Sequence, residues 1–179
     1  MEGKNKILLH GCCGPCITSP LQRLREEFEV IVYFYNPNIY PEEEYYRRLE
    51  SARKLSSMWD FELLEGEYHP EIWENAVRGL ESEPEGGARC LQCFRMRLKE
   101  VCRKAVSLNV MQWTTTLTVS PRKNSRDLFR VGREVTESGG TLFLPIDFKK
   151  KNGFLQSVAL SREADLYRQN YCGCRFSVR

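Results

Sequence analysis

No stretch of this sequence is long and apolar enough to cross a membrane, and its net charge of +3 is too small to identify a nucleic-acid partner. The apolar run at 7–9 is too short for the core of a secretory signal peptide. No internal repeat, low-complexity segment or linker divides the chain. We therefore expect residues 1–179 to form a single domain in the cytoplasm, where thiols stay reduced and a disulfide framework is disfavoured.

What the sequence does contain is eight cysteines, seven of which fall into three separate clusters. The clusters are Cys12-Cys13-Gly14-Pro15-Cys16, Cys90-Leu91-Gln92-Cys93 and Cys172-Gly173-Cys174. In a reducing compartment, thiols gathered from remote segments indicate a soft-metal site or redox chemistry. The remaining thiol, Cys102, follows an apolar helical stripe and is expected in the core.

Short apolar runs alternate with helical patterns along the chain. Strands are predicted over 6–10, 30–35, 61–64, 110–119 and 142–146. This alternation is typical of a parallel sheet with helices on both faces, a Rossmann-like three-layer α/β sandwich. Because ligands of such sheets bind beyond the carboxyl ends of the strands, we expect the first cysteine cluster at the binding edge.

Helix boundaries are predicted from residues that favour helix ends. Ser19 is the expected cap of the first helix, and Asn124 is the expected cap of a later helix that Gly139-Gly140 ends. A long helix is expected to begin at Cys93. The chain after the last strand is expected to be helical as far as the third cysteine cluster.

The spacing of Cys90 and Cys93 lets both sulfurs bind one metal ion, and it also fits half a zinc site or a thioredoxin-type dithiol. The neighbours Cys12 and Cys13 can serve one centre only where the backbone turns sharply, which the glycine and proline after them allow. Cys16 either joins that centre as an additional ligand or packs as a small hydrophobic residue. Four cysteines from two clusters satisfy a [4Fe–4S] cluster or a zinc ion.

The third cluster favours the iron–sulfur alternative. A disulfide between Cys172 and Cys174 would close a short, strained ring that is readily reduced, as in a redox-active pair. The two thiols could instead bind a second metal, such as an additional iron ion. A structural zinc site would leave this pair unexplained, whereas an iron–sulfur centre beside a dithiol places all three clusters on one electron path.

Other polar residues follow the predicted strands. Asp147 comes directly after the fifth strand and is a candidate proton donor or oxygen ligand, although aspartate is also common in exposed turns. Arg122, Lys123 and Lys150 lie near strand exits. These basic residues are candidates for contacts with phosphate, or they are simply solvated.

Five segments together resemble the QueH family of cobalamin-independent epoxyqueuosine reductases. They are His10-Gly11-Cys12-Cys13-Gly14-Pro15-Cys16, Tyr35-Asn36-Pro37-Asn38-Ile39, Arg89-Cys90-Leu91-Gln92-Cys93, Thr114-Thr115-Thr116-Leu117 and Tyr171-Cys172-Gly173-Cys174. The resemblance implies reduction of the epoxide of epoxyqueuosine to queuosine in the anticodon loop of tRNA, the last step of queuosine synthesis. It also implies an electron donor that the sequence does not identify.

The resemblance further implies that Cys12, Cys13, Cys90 and Cys93 bind an iron–sulfur centre, with Cys172 and Cys174 as a redox pair and no cobalamin. The fold also resembles the adenine-nucleotide α-hydrolase-like group, which includes the PP-loop ATPases. Those enzymes carry a Ser-Gly-Gly phosphate loop after the first strand, where this chain has a cysteine-rich turn. The shared fold therefore does not imply use of ATP.

Two other functions fit parts of the pattern. One is a PP-loop-like tRNA sulfurtransferase, which would need a nucleotide site that the sequence does not reveal. The other is a structural zinc or iron–sulfur module that acts as an RNA adaptor. Visible iron–sulfur absorbance that dithionite bleaches would distinguish a redox centre from a colourless zinc module.

Overall fold

Five parallel strands form the central sheet of the computed structural model, which describes residues 4–136 and 140–178. The strands are β1 (Asn5–Gly11), β2 (Phe28–Phe34), β3 (Glu62–Glu65), β4 (Gln112–Thr115) and β5 (Leu142–Phe143). Their order in the sheet is β3-β2-β1-β4-β5, and each neighbouring pair is parallel. The predicted α/β parallel-sheet class is confirmed.

Helices follow the strands along the chain. They are α1 (Gly14–Leu24), α2 (Glu42–Trp59), α3 (Pro70–Ala76), α4 (Ala88–Ser107), α5 (Ser125–Thr136) and α6 (Gly153–Glu163). Two of the predicted strands are shorter than expected. The fourth gives way to a 3₁₀ helix, Thr116–Val119, and the fifth ends before Pro145, which has no N–H for the strand ladder.

The side chains of β1 and β2 divide the core between the two faces of the sheet. Ile7 and Leu9 point to the layer of α1 and α2, whereas Leu8 points to the layer of α4 and α5. All three side chains are fully buried. Because both faces of the sheet are covered, β1 and β2 contain continuous apolar runs, 7–9 and 30–34, rather than alternating apolar and polar residues.

The strand order reverses at β1. The chain winds from β1 outward to β3 and then returns to place β4 on the other side of β1. The carboxyl ends of β1 and β4 therefore form the switch point where parallel α/β sheets bind ligands. The backbone N–H of Cys12, which follows β1, donates to Oγ1 of Thr116, which follows β4, across 3.1 Å.

The predicted cap of the first helix is wrong. α1 begins at Gly14, five residues before Ser19, and its cap is the thiol of Cys13, which accepts the backbone N–H of Cys16 across 3.3 Å. Ser19 lies buried within the helix. The prediction failed because serine is a common capping residue and cysteine is not.

Three other helix boundaries can be compared with the structure. α4 begins at Ala88, so Cys93 lies in its second turn rather than at its start. α6 ends at Glu163, and the chain from there to the third cysteine cluster is not helical, because Asp165 adopts a left-handed backbone conformation. The predicted cap of α5 is confirmed, since Oδ1 of Asn124 accepts the N–H of Arg126. Gly139, the predicted end of that helix, lies outside the described residues.

No helix in the described part of the chain is both long enough and apolar enough to span a membrane.

Candidate functional site

The cysteine-rich turn after β1 brings three thiols together. The sulfurs of Cys12, Cys13 and Cys16 all lie within 4.8 Å of one another, close enough to bind one metal ion. The turn into α1 holds them, and Nε2 of Gln169 donates to the Cys13 sulfur across 3.0 Å. Of the two outcomes that the sequence left open for Cys16, the structure places its thiol beside the other two.

Charge is shared unequally among these thiols. Hydrogen bonds from Cys13 and Cys16 lower the pKa of Cys12, and the hydroxyl of Thr116, 3.3 Å from the Cys12 sulfur, acts in the same direction. Burial raises the pKa of Cys13 to about 12. Hydrogen bonds to Cys12 and Cys13 raise the pKa of Cys16 as well, so negative charge in this group is favoured on the Cys12 sulfur, and binding of a cation would favour ionisation of the other two thiols.

The second and third cysteine clusters meet at a separate small cavity. Cys90 and Cys93 lie one turn apart on α4, and with Cys172 and Cys174 they line a cavity of about 80 Å³. Burial raises the pKa of Cys93 to about 11. The second and third clusters, which the sequence could not place relative to each other, thus line the same small cavity.

A larger cavity of about 320 Å³ adjoins this one at the carboxyl edge of the sheet. The residues of this large cavity that matter most for its chemistry are Cys12, Cys16, Cys172, Arg97, Arg122 and Lys123. Cys172 and Lys123 also line the small cavity, so the two spaces are continuous around these side chains. Six cysteines therefore line two adjoining cavities, and Cys13 lies beside two of them at the turn into α1.

The predicted four-cysteine ligand set is divided between the two groups. Among the described residues, Cys12 and Cys13 lie with Cys16, whereas Cys90 and Cys93 lie with the third cluster. The set therefore stays a prediction. All eight cysteines are free thiols, which is the donor type that soft metals and iron–sulfur clusters require, so the residues present fit such a group.

The basic residues predicted to contact phosphate differ in their position relative to the cavities. Arg122 and Lys123 line both cavities, whereas Lys150 is exposed and lines neither. Desolvation lowers the pKa of the Lys123 ammonium, but the nearby thiols of Cys172 and Cys12 outweigh it and raise the pKa above its ordinary value. Lys123 therefore carries a positive charge beside the thiols.

Asp147, the predicted proton donor, lies outside the lining of both cavities. Its carboxylate is 3.3 Å from the ammonium of Lys149. That ammonium also donates to the backbone carbonyl of Lys123 across 3.2 Å. The structure thus connects Asp147 to the site through Lys149 and not by direct contact.

Sequence reasoning missed two buried arginines that border the large cavity, Arg48 and Arg97. Arg48 on α2 forms an ion pair with Glu44 at 2.7 Å, and Arg97 on α4 lies 4.0 Å from the sulfur of Cys93. The spacing of Glu44 and Arg48, four residues apart, is the one signal that the sequence offered for the pair. Arg97 had no comparable signal.

The sequence was compared with known families and characterised proteins. The family model described as "Epoxyqueuosine reductase QueH" matches residues 7–179. A protein of this name from Streptococcus pyogenes is 42% identical over 179 residues, which cover 97% of this chain and 70% of the relative. One from Staphylococcus epidermidis is 36% identical, with 97% of this chain and 76% of the relative covered.

A more distant relative has nearly the same length. The epoxyqueuosine reductase QueH of Thermotoga maritima is 35% identical over 176 residues, covering 96% of this chain and 90% of the relative. The similarity therefore extends over the whole sheet and all three cysteine clusters. This chain belongs to the epoxyqueuosine reductase QueH family.

Proposed function

We propose that this protein reduces the epoxide of epoxyqueuosine in tRNA to the alkene of queuosine, the last step of queuosine synthesis in the cytoplasm. The observation that carries the proposal is the arrangement of six cysteines around two adjoining cavities in a chain of this family. The large cavity, at about 320 Å³, is within the range of about 300–1,000 Å³ typical of small-molecule sites. It therefore offers room for one modified nucleoside.

An iron–sulfur centre, a [4Fe–4S] cluster, is the proposed cofactor, with no requirement for cobalamin. Cys12, Cys13, Cys90 and Cys93 are its proposed ligands, and Cys16 is an additional candidate because its sulfur lies within 4.8 Å of the first two. When bound, the centre would supply electrons and an iron that can polarise a carbon–oxygen bond. An additional iron ion is a further candidate, since the thiols form two groups.

Oxidation of the dithiol of Cys172 and Cys174 would supply the electrons and protons that reduction of the epoxide consumes. Removal of the epoxide oxygen as water needs two electrons and two protons. Oxidation of two thiols to a disulfide releases the same numbers, so epoxide and dithiol give alkene, disulfide and water. An external reductant, the unidentified electron donor, must then restore the dithiol. Cys172 lines the large cavity, which places one of the two thiols beside the proposed substrate.

Lys123 and Arg122 present positive charge in the large cavity, where a phosphate of the anticodon loop would be attracted. The target base must be turned out of the loop to reach the thiols, as enzymes that act on bases require. Asp147 remains the proposed proton donor, acting through its contact with Lys149. Lys150, which is exposed, would contact the tRNA outside the cavities.

The ligand proposal is tested by metal and sulfide analysis of anaerobically purified protein, with Mössbauer spectra to resolve a lone iron. Cys93→Ser should lose iron and sulfide together, because a hydroxyl replaces a thiolate ligand poorly. Cys102→Ser is the matched control, since Cys102 is buried in the core and contacts Thr141 rather than the other thiols. Full cluster content in Cys93→Ser would refute the ligand set.

The catalytic proposal is tested with tRNA that carries epoxyqueuosine. The purified, reduced protein should convert it to queuosine without added cobalamin. Transfer of sulfur to the tRNA instead would indicate the PP-loop-like sulfurtransferase. A colourless, zinc-containing protein that binds tRNA without changing it would indicate the structural RNA adaptor.

A further inference from the structure

Arg97 is a buried cation with an incomplete set of partners. Its side chain is 2% exposed, and Nη2 donates to Oδ1 of Asn36. Its Nε has no hydrogen-bond partner, and no carboxylate in the described part of the chain lies within ion-pair distance of it. A buried guanidinium is costly unless an anion compensates its charge.

The other two buried arginines are held differently. Arg48 pairs with the carboxylate of Glu44, and Arg89, whose Nε also has no hydrogen-bond partner, donates through Nη1 to the carbonyl oxygens of Leu80, Glu81 and Glu83. Arg97 differs from both because it bonds to the side-chain amide of Asn36 and lies 4.0 Å from a cysteine sulfur. A thiolate at that distance would compensate its charge.

Arg97 lies between the two groups of thiols. Nη1 is 4.0 Å from the sulfur of Cys93, which lines the small cavity. On its other side, Arg97 lines the large cavity together with Cys12. Asn36 continues the connection, since its Nδ2 donates to the carbonyl oxygen of Gly11, the residue before Cys12, across 2.9 Å.

The nearby His10 is already engaged elsewhere. One ring nitrogen is hydrogen-bonded to Oγ1 of Thr115 across 2.9 Å, and the other to the carbonyl oxygen of Tyr35 across 3.0 Å.

We propose that Arg97 is the permanent counter-charge of the metal-binding thiolates, stabilising their ionised form without binding the metal itself. The proposal rests on the metal centre of the proposed function and extends it to a residue outside the ligand set. A thiolate–metal centre carries net negative charge, and a guanidinium in a site of low dielectric lowers the cost of forming it. In the metal-free protein the same guanidinium is destabilising, because no carboxylate of the described residues lies within ion-pair distance to compensate its charge.

The test compares the effect of Arg97 on the stability of the metal-free protein with its effect on metal affinity, because the proposal predicts opposite signs for the two. Metal-free Arg97→Met should unfold in urea at the same or a higher concentration than the metal-free wild type, because an unpaired buried charge is removed. Its affinity for Cd²⁺, titrated anaerobically and followed by thiolate-to-metal charge-transfer absorbance, should fall about tenfold or more. Arg97→Lys keeps the charge and should bind Cd²⁺ within about threefold of wild type.

Arg103→Met is the matched control. Arg103 lies on the same helix and carries the same charge, but it is exposed and paired with Glu100 at 2.7 Å. Its replacement should leave Cd²⁺ affinity unchanged, which excludes an effect of net charge alone.

Two results would overturn the proposal. One is equal Cd²⁺ affinity in Arg97→Met and wild type. The other is a loss of urea resistance in metal-free Arg97→Met, or failure to fold, combined with weak Cd²⁺ binding by Arg97→Lys, since Arg97 would then be structural. A wild-type protein that binds neither Cd²⁺ nor iron would refute the metal centre of the proposed function as well.

Discussion

The guanidinium of Arg48 donates a hydrogen bond of 2.9 Å to the carbonyl oxygen of Cys172, 124 residues further along the chain. The same guanidinium bonds to the carbonyl of Tyr171 and pairs with Glu44. Gly173 is adjacent, with φ +135°, and a Cβ there would lie 3.0 Å from Nη1 of Arg48. Helix α2 therefore holds the third cysteine cluster in place through one buried side chain.

Arg48→Met should lower the free energy of unfolding by about 3 kcal/mol, the lower end of the range for a broken buried ion pair, because the buried carboxylate of Glu44 keeps only the exposed Arg47 at 4.0 Å and the hydroxyl of Tyr167 at 2.8 Å. Urea denaturation of the metal-free protein measures the change. Arg53→Met, on the same helix but with an exposed ion pair, should cost no more than about 1 kcal/mol. Equal effects of the two substitutions would contradict a special role for the buried pair.

Cys174→Ser should keep the metal centre and lose multiple turnover, because the dithiol can no longer be oxidised to a disulfide. The measurement is iron and sulfide content beside conversion of epoxyqueuosine tRNA under excess substrate. Sustained turnover by this variant, without added cobalamin, would show that the third cluster is structural and that the electrons take another route.

Gly14→Ala should destabilise the fold by about 1–3 kcal/mol, because the added Cβ would lie 2.8 Å from the backbone carbonyl of Ser51 and closer still to its hydroxyl. Moving α1 away from α2 also displaces the thiols of Cys13 and Cys16. Ser51→Ala should rescue Gly14→Ala only in part, since the carbonyl remains. Thermal unfolding measures stability, and complete rescue would mean that the hydroxyl alone caused the clash.

Binding of tRNA should weaken as salt increases, and charge reversal at Arg122 or Lys150 should weaken it further at low salt. The two charge reversals should differ in their effect on kcat. Arg122 lines both cavities, so Arg122→Glu should also lower kcat, whereas Lys150→Glu should change binding alone. Filter binding at several salt concentrations, with single-turnover rates, separates these effects. Binding that does not depend on salt would exclude contacts between these residues and phosphate.

Asp147→Asn should keep both the metal centre and tRNA binding but slow the reduction. Its carboxylate holds Lys149, whose ammonium bonds to the backbone of Lys123, so the substitution would alter proton delivery or the position of Lys123. Single-turnover rates in normal and heavy water distinguish these outcomes, because only proton transfer gives a solvent isotope effect that changes with the substitution. An unchanged rate would remove Asp147 from the mechanism.

Local patterns in the sequence predicted much of the fold. Apolar runs located β1 and β2, because strands covered on both faces contain continuous apolar residues, and shorter apolar or β-branched runs located the other three strands. The start of α1 was misplaced because a thiol, and not the hydroxyl of Ser19, caps the helix. The tail was wrongly predicted to be helical because the left-handed residue at Asp165 has no strong local signal.

The sequence by itself determined that seven thiols lie in three short clusters, that the first follows a buried strand, and that the chain belongs to this family. The tertiary structure alone decided how the clusters meet: Cys90 and Cys93 line one cavity with Cys174, and Cys172 lies at the junction of two cavities. Residue spacing predicts which side chains meet within one helical or loop turn, because the backbone geometry of a few consecutive residues determines those contacts. Contacts between remote segments depend on strand order and on buried side chains such as Arg48 and Arg97, whose bonds to Cys172 and Asn36 no local pattern predicts.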